Sequence, residues 1–167
     1  TSLVTDTSDL FKNETTFNQD IGNWDTSNVT DMTEMFYFAR SFNQDIGNWD
    51  VSNVTSMTGM FNRANSFNND GSNSINNWDV SNVTTMYLMF GAQEGGGNAV
   101  FNQDIGDWDV GRVTNFRGMF RRNFVFNQDI SDWNMISATD VSQMFDRAIS
   151  FSNGGVSLNC WDTSNIT

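Results

Sequence analysis

Aspartate is the residue in this chain best placed to do chemistry. Asp25, Asp50, Asp79, Asp109 and Asp162 occupy one phase of the sequence, with Asn134 in the remaining place. Asp20, Asp45, Asp70, Asp104 and Asp129 form a second series. Carboxylates can pass protons, hold hard cations such as Ca²⁺ through oxygen, or close turns by accepting backbone N–H bonds. Their regular recurrence argues against the first role. A glycosidase needs two carboxyl groups in different environments, and a series of equivalent acids offers no unique pair. The chain also has no histidine. Ser-His-Asp triads, Cys-His pairs and His-based zinc sites are therefore excluded. An active site is needed once, whereas a residue spelled in every repeat serves architecture or a surface. The expectation is a protein that is not an enzyme.

Both series belong to a longer repeated phrase. "FNQDIGNWDTSN" begins at Phe17, and close copies begin at Phe42, Phe101 and Phe126. Trp24, Trp49, Trp78, Trp108, Trp133 and Trp161 mark the period, which is 25 residues between the first two. Phe36, Phe61, Phe90, Phe120 and Phe145 follow the first five tryptophans, each preceded by methionine. The stretches "GSNS" at 71–74, "QEGGGN" at 93–98 and "NGG" at 153–155 depart from the period and read as surface loops.

Positioning such residues requires regular elements. Apolar Trp49 and Val51 flank Asp50, an alternation that predicts a short strand with Asp50 facing out. Met57, Met60, Phe61, Ala64 and Phe67 share one face at helical spacing. One unit would thus be a short parallel strand, a tight turn and a short helical segment. It is too small to bury its apolar faces unless stacked on copies of itself. The expected fold is α/β, a single right-handed solenoid over residues 1–167 with about six 25-residue coils. The chain opens "TSLVT" and closes "TSNIT", the same phase of one repeat, which reads as a piece of a longer array.

The spacing Ile-x-x-Trp-x-Val resembles the strand signature of leucine-rich repeats, and "MFNRANSF" resembles the end of BspA-like repeats. The whole unit "FNQDIGNWDVSNVTSMTGMF" resembles the bacterial surface protein repeat of mycoplasma lipoproteins and listeria wall-anchored proteins, whose domain has no assigned function. That resemblance covers essentially the whole chain. It implies a leucine-rich-repeat-like solenoid, an extracellular or cell-surface location, and a role in adhesion or interaction. The unit containing "WNMISATDV" departs from the pattern, so a local irregularity is expected around residues 135–141.

Stacking turns repeated residues into columns. Asp20, Asp45, Asp70, Asp104 and Asp129 are candidate ligands for Ca²⁺ between coils, set against plain turn closure with no cofactor. The calcium-solenoid and EF-hand motifs are both missing. Asp25, Asp50, Asp79 and Asp109, with Asn48 and Asn77 beside them, form the candidate ligand-binding face. Unpaired, these carboxylates would raise one another's pKa. Thr5, Thr30, Thr55, Thr84, Thr114, Thr139 and Thr167 read as caps for the helical segments, with an ordered-water array as the sharper alternative. Asn28, Asn53 and Asn82 lie in N-x-T sequons, as do Asn13 and Asn165. Arg112, Arg117, Arg121 and Arg122 read as ion-paired with acidic neighbours or as a local partner site. The glycines at 95–97 are no phosphate loop, because no Lys-Ser or Lys-Thr follows. Cys160 is the sole cysteine, so no internal disulfide forms.

The net charge is −12, from twenty acidic and eight basic residues. This excludes a nucleic-acid footprint and argues against anionic membranes. No apolar run approaches the roughly 20 residues of a membrane span. The functional expectation is a noncatalytic module whose partner is an extracellular protein or glycan. The alternative is a structural spacer stiffened by Ca²⁺.

Overall fold

The computed structural model describes residues 4–95 and 97–167. Thr1, Ser2 and Leu3 of the opening "TSLVT", and Gly96 of the 95–97 glycine run, lie outside the described residues. The chain winds into a stack of irregular coils. Among the described residues the only helical elements are three 3₁₀ turns, Asn69–Gly71, Asn73–Asn77 and Asn153–Gly155. Neighbouring coils touch through isolated parallel bridges rather than a sheet. The α/β solenoid of strand plus helix is therefore overturned. Residues 49–51 form no strand and residues 57–67 form no helix.

The reason lies in where the amides go. Met57, Gly59, Phe61 and Arg63 donate their N–H groups out of the coil, to the carbonyls of Thr85, Tyr87, Met89 and Gly91. The intervening amides of Met60, Asn62 and Ala64 close turns onto Met57, Gly59 and Phe61. An α-helix needs every amide to reach back four residues, and here half of them leave. A strand needs an extended backbone, yet Gly59 and Arg63 have φ of 59° and 64°. The same two positions are left-handed at Glu34 and Phe38, Gly118 and Arg122, and Gln143 and Arg147. A non-glycine residue in that region costs about 1–2 kcal/mol. The bonds between coils offset it. The apolar spacing is thus correct as a burial pattern and wrong as a helix.

The strand expectation fails similarly. Trp49 and Val51 are buried and Asp50 is exposed, as alternation predicts. Their neighbourhood nevertheless closes on itself, with Trp49 N–H on the Ile46 carbonyl and Val54 N–H on that of Val51. Pairing between coils comes a few residues later, along Asp6, Asp31, Ser56, Thr85, Asn115 and Asp140. Thr55 N–H donates back to Thr30 at 2.8 Å, and Met57 N–H donates forward to Thr85 at 3.1 Å. Pairing therefore changes direction at the bridge and does not propagate.

The core fills the space between the two sides of each coil. Ile46, Trp49, Val51 and Val54 come from one side, and Met57, Met60, Phe61, Ala64 and Phe67 from the other, all buried. Phenylalanines stack in two columns. Phe61 and Phe67 lie 3.7 Å apart within a coil, and Phe61 and Phe90 lie 5.6 Å apart between coils. From Trp49 to Trp161 each indole N–H donates to an isoleucine carbonyl of the preceding coil, at 2.9–3.3 Å. The irregularity expected at 135–141 is absent. Met135 and Ala138 are buried where Val and Val stand elsewhere, and the Asn115–Asp140 bridge is intact.

Trp108 is 3% exposed with its indole bonded, whereas Trp24 is 42% exposed. Trp108→Ala is expected to cost about 3–5 kcal/mol, and Trp24→Ala no more than about 1 kcal/mol. Urea denaturation followed by circular dichroism measures both, and equal losses would refute this burial assignment.

Candidate functional site

Each aspartate of the first series is held by its own turn. Asp25, Asp50 and Asp79 accept the N–H and hydroxyl of the serine two residues on, with hydroxyl contacts of 2.6 Å. Asp109 accepts Gly111 N–H at 3.0 Å, Asp162 accepts Ser164 N–H, and Asn134 accepts Ile136 N–H. The four candidate ligand-face aspartates are exposed, as are Asn48 and Asn77 beside them. The Ser27 hydroxyl and N–H hold the Asp25 carboxyl below its ordinary pKa, and Ser81 does the same for Asp79. At these positions the local donors govern, and the mutual repulsion expected from a free column does not.

The second series is likewise committed to turns. Asp20, Asp45, Asp104 and Asp129 accept the N–H of Gly22, Gly47, Gly106 and Ser131 at 2.9–3.0 Å. Burial works against the charge of Asp45. Gly47 N–H and the Ser74 hydroxyl nonetheless hold its pKa low. Asp70 breaks the series. It sits at φ 50° in a 3₁₀ turn, and its own N–H donates to Asn43. Among the described residues no three acidic or cysteine side chains converge on a point that could hold a metal.

The threonines do not cap helices. From Thr30 to Thr139, hydroxyl and N–H both donate to the threonine carbonyl of the preceding coil. Three sequon asparagines are structural too, since Asn53, Asn82 and Asn165 donate Nδ2–H to the Ser27, Ser52 and Ile136 carbonyls. Of the arginine cluster, Arg121 pairs with Asp146 at 3.1 Å and Arg112 donates to Asn82. Cys160 is exposed and free.

The asparagine of each "FNQD" phrase went unread in the sequence. Asn18 Oδ1 accepts Asn43 N–H, Asn43 accepts Asn68, Asn68 accepts Asn102, Asn102 accepts Asn127, and Asn127 accepts Ser152. This ladder runs through the stack. Asn69 and Asn153, both fully buried, stand where other units carry Gln44 and Gln128. Each accepts an isoleucine N–H from the preceding coil and folds an inserted stretch back by donating to Ser72 or Val156. The signal was present, because the asparagine follows the phenylalanine in five of the six units, with Ser152 in the last.

One open apolar cavity of about 570 Å³ lies at the first coil, lined by Val4, Leu10, Trp24 and Val29 among others. It is the face of the core that no earlier described coil covers.

The family of Mycoplasma proteins of unknown function called DUF285 matches twice, over residues 1–95 and 71–167. The chain belongs to the DUF285 family. Two overlapping matches agree with the repeated coil. Neither the curated proteins nor the solved structures gave a match. Membership in DUF285 carries no assigned activity.

Asp79→Asn is expected to stay within about 0.5 kcal/mol, because asparagine can accept the same N–H, as Asn134 does. Asp79→Ala removes the acceptor and is expected to cost about 1 kcal/mol, measured by urea denaturation. Asp6, Asp25, Asp79, Asp140 and Asp162 all have folded-state pKa values below the usual carboxyl range. Their contribution is fully present above about pH 4 and is lost as pH falls through the folded values. Denaturation midpoints should be flat from pH 7 to 5 and drop below pH 4. A midpoint that rises on acidification would contradict this.

Proposed function

We propose that this DUF285 chain is a noncatalytic recognition module displayed at a cell surface. Its ligand docks along the aspartate row of Asp25, Asp50, Asp79 and Asp109. The observation that carries this reading is how the row is held. In each of these four residues one oxygen, Oδ1, is fixed by the turn, and Oδ2 makes no bond within the described residues. A preorganised acceptor therefore recurs over four successive coils, and little side-chain entropy is lost on binding. Extracellular proteins and glycans with repeated cationic or hydroxyl groups suit such a row. The sequence resemblance to bacterial surface repeats supports the location, and the recurrence of equivalent acids supports a role without turnover.

A spacer is the second reading, favoured by the unbroken asparagine ladder, which makes the stack one continuous element.

Beads coated with the chain should be retained on arrays of glycans and matrix proteins, and beads carrying D50N/D79N/D109N should be retained several-fold less. No retention on any surface would remove the recognition reading and leave the spacer. Melting with EDTA and with Ca²⁺ tests stiffening. A calcium-dependent rise of several degrees would support a metal-stiffened spacer, and an unchanged midpoint would remove it.

A further inference from the structure

One position of the turn run gathers arginines. Arg63 N–H donates to Gly91, Ala92 N–H to Arg121 and Arg122 N–H to Asp146, so the coils register residue by residue. Asn13, Phe38, Arg63, Ala92, Arg122 and Arg147 therefore stand in one column. Three of the six are arginines, and the residue between Arg63 and Arg122 is a buried alanine. Stacked backbones lie about 4.8 Å apart, so three steps separate Arg63 from Arg147 by roughly 14 Å. Their side chains nonetheless meet the same residue. Arg63 Nη2 donates to the Glu94 carbonyl at 3.2 Å, and Arg147 Nη2 lies 3.6 Å from the Glu94 carboxylate. Arg63 thus leans toward the later coils and Arg147 toward the earlier ones, with Arg122 between them in the column.

These guanidinium groups are short of acceptors. Arg63 Nε and Arg122 Nε are each buried without a hydrogen-bond partner. Arg122 also has no carboxylate partner among the described residues. A buried donor left unpaired is costly, and more so when it carries charge. The acids of this side do not fill the need. Asp146 is taken by Arg121 at 3.1 Å, and Asp9 and Glu34 by Lys12. Glu94 is the carboxylate that reaches the column, through its long contact with Arg147, and its side chain is 69% exposed. It sits on the inserted stretch 93–98, where Gly95 has φ 76° and open space around it.

We propose that Arg63, Arg122 and Arg147 bind the sulfate group of an acidic glycan, which takes the place of the Glu94 carboxylate. Arginine is the cation suited to this. Its planar fork pairs with oxyanions through two parallel N–H bonds, and its weak hydration lowers the cost of partial burial. A carboxylate is planar and presents two oxygens. A sulfate ester presents three terminal oxygens in different directions, which matches three guanidinium groups drawn from three coils. The aspartate row lies across the core, on the tryptophan side of each coil, so this site is separate from the recognition surface proposed above.

A sugar is the carrier that fits the surroundings. Tyr37 and Phe38 are half-buried, and their ring centres lie 5.9 Å and 5.7 Å from the Arg63 guanidinium. Such rings offer an apolar face with a polar rim, on which the C–H face of a pyranose packs while its sulfate reaches the arginines. A lipid surface fits less well. The net charge of −12 repels an anionic membrane, whereas a single glycan chain is narrow enough to follow the column and avoid the acidic side.

Isothermal titration calorimetry of the purified chain tests this, with a heparin-derived hexasaccharide, sodium sulfate and anionic lipid vesicles as probes. The hexasaccharide is expected to bind more tightly than free sulfate, and high salt is expected to weaken it by screening. Arg122→Gln should weaken hexasaccharide binding about tenfold or more, the loss of one charge-assisted hydrogen bond. Arg147→Gln, at an exposed position where folding is not at stake, should weaken it as well. Glu94→Gln removes the competing carboxylate and should strengthen binding several-fold, a gain that a merely structural Glu94 would not give. Melting of each variant controls for folding. A parent chain that does not bind the hexasaccharide overturns the proposal. So does binding that R122Q and R147Q both leave intact, or binding that E94Q weakens. Free sulfate held as tightly as the hexasaccharide, or vesicles held in its stead, would overturn the glycan as the ligand.

Discussion

Everything in this fold depends on bonding from one coil to the next. Among the described residues no α-helix and no sheet pairs the backbone polar groups, turns within a coil satisfy only part of them, and buried unpaired groups are costly. Here each coil takes its partners from its neighbours. Alternate amides of the turn run, the asparagine oxygens, the indole N–H groups and the threonine hydroxyls all reach across the same gap. Each contact is modest alone, at about 0.5–1.5 kcal/mol net. Together they make a single coil meaningless and a stack stable. The strict repetition of the sequence follows, because a ladder works only if every rung has the same reach.

The aromatic columns answer the same constraint from inside. Phe61 is nearly parallel to both Phe67 and Phe90, with interplanar angles of 1°. Flat rings at a fixed spacing set the rise between coils, and the polar ladders have that rise to span. Aspartates then serve the outside. They close the turns that return the chain to the next rung, which explains why so acidic a protein tolerates its charge. The N–H groups and hydroxyls that receive the carboxylates hold several of them below their ordinary pKa.

Much of this was legible in the sequence, and the failures share one cause. The tryptophan period, the buried set and the outward aspartates could be read because burial follows residue type and spacing. The secondary structure could not. Spacings of three and four at Met57, Met60, Phe61 and Ala64 look helical whether the intervening backbone is a helix or a run of linked turns. Only the left-handed residues, among them Arg63 and Phe38, distinguish the two, and non-glycine side chains do not advertise that conformation. Polar ladders were missed for a similar reason. An asparagine in a Gly- and Asp-rich phrase reads as a turn residue, and its second role appears only when the coils are stacked. Of the candidate site, the aspartate row kept its place on the surface. In the second series Asp20, Asp45, Asp104 and Asp129 close turns, and Asp70 does not.

The direction of the turn-run bonds has a mechanical meaning. At Met57, Gly59, Phe61 and Arg63, and at the same four places in the neighbouring coils, the amides that cross between coils donate toward the later coil, so these bonds lie along the stack rather than across it. Tension on the two termini would load them one coil at a time instead of shearing a sheet all at once. A 25-residue coil that lets go frees about 85 Å of chain, at roughly 3.4 Å per residue. The same geometry would let the stack yield in steps under pulling. It would lengthen by a fixed increment each time and re-form when the load is removed.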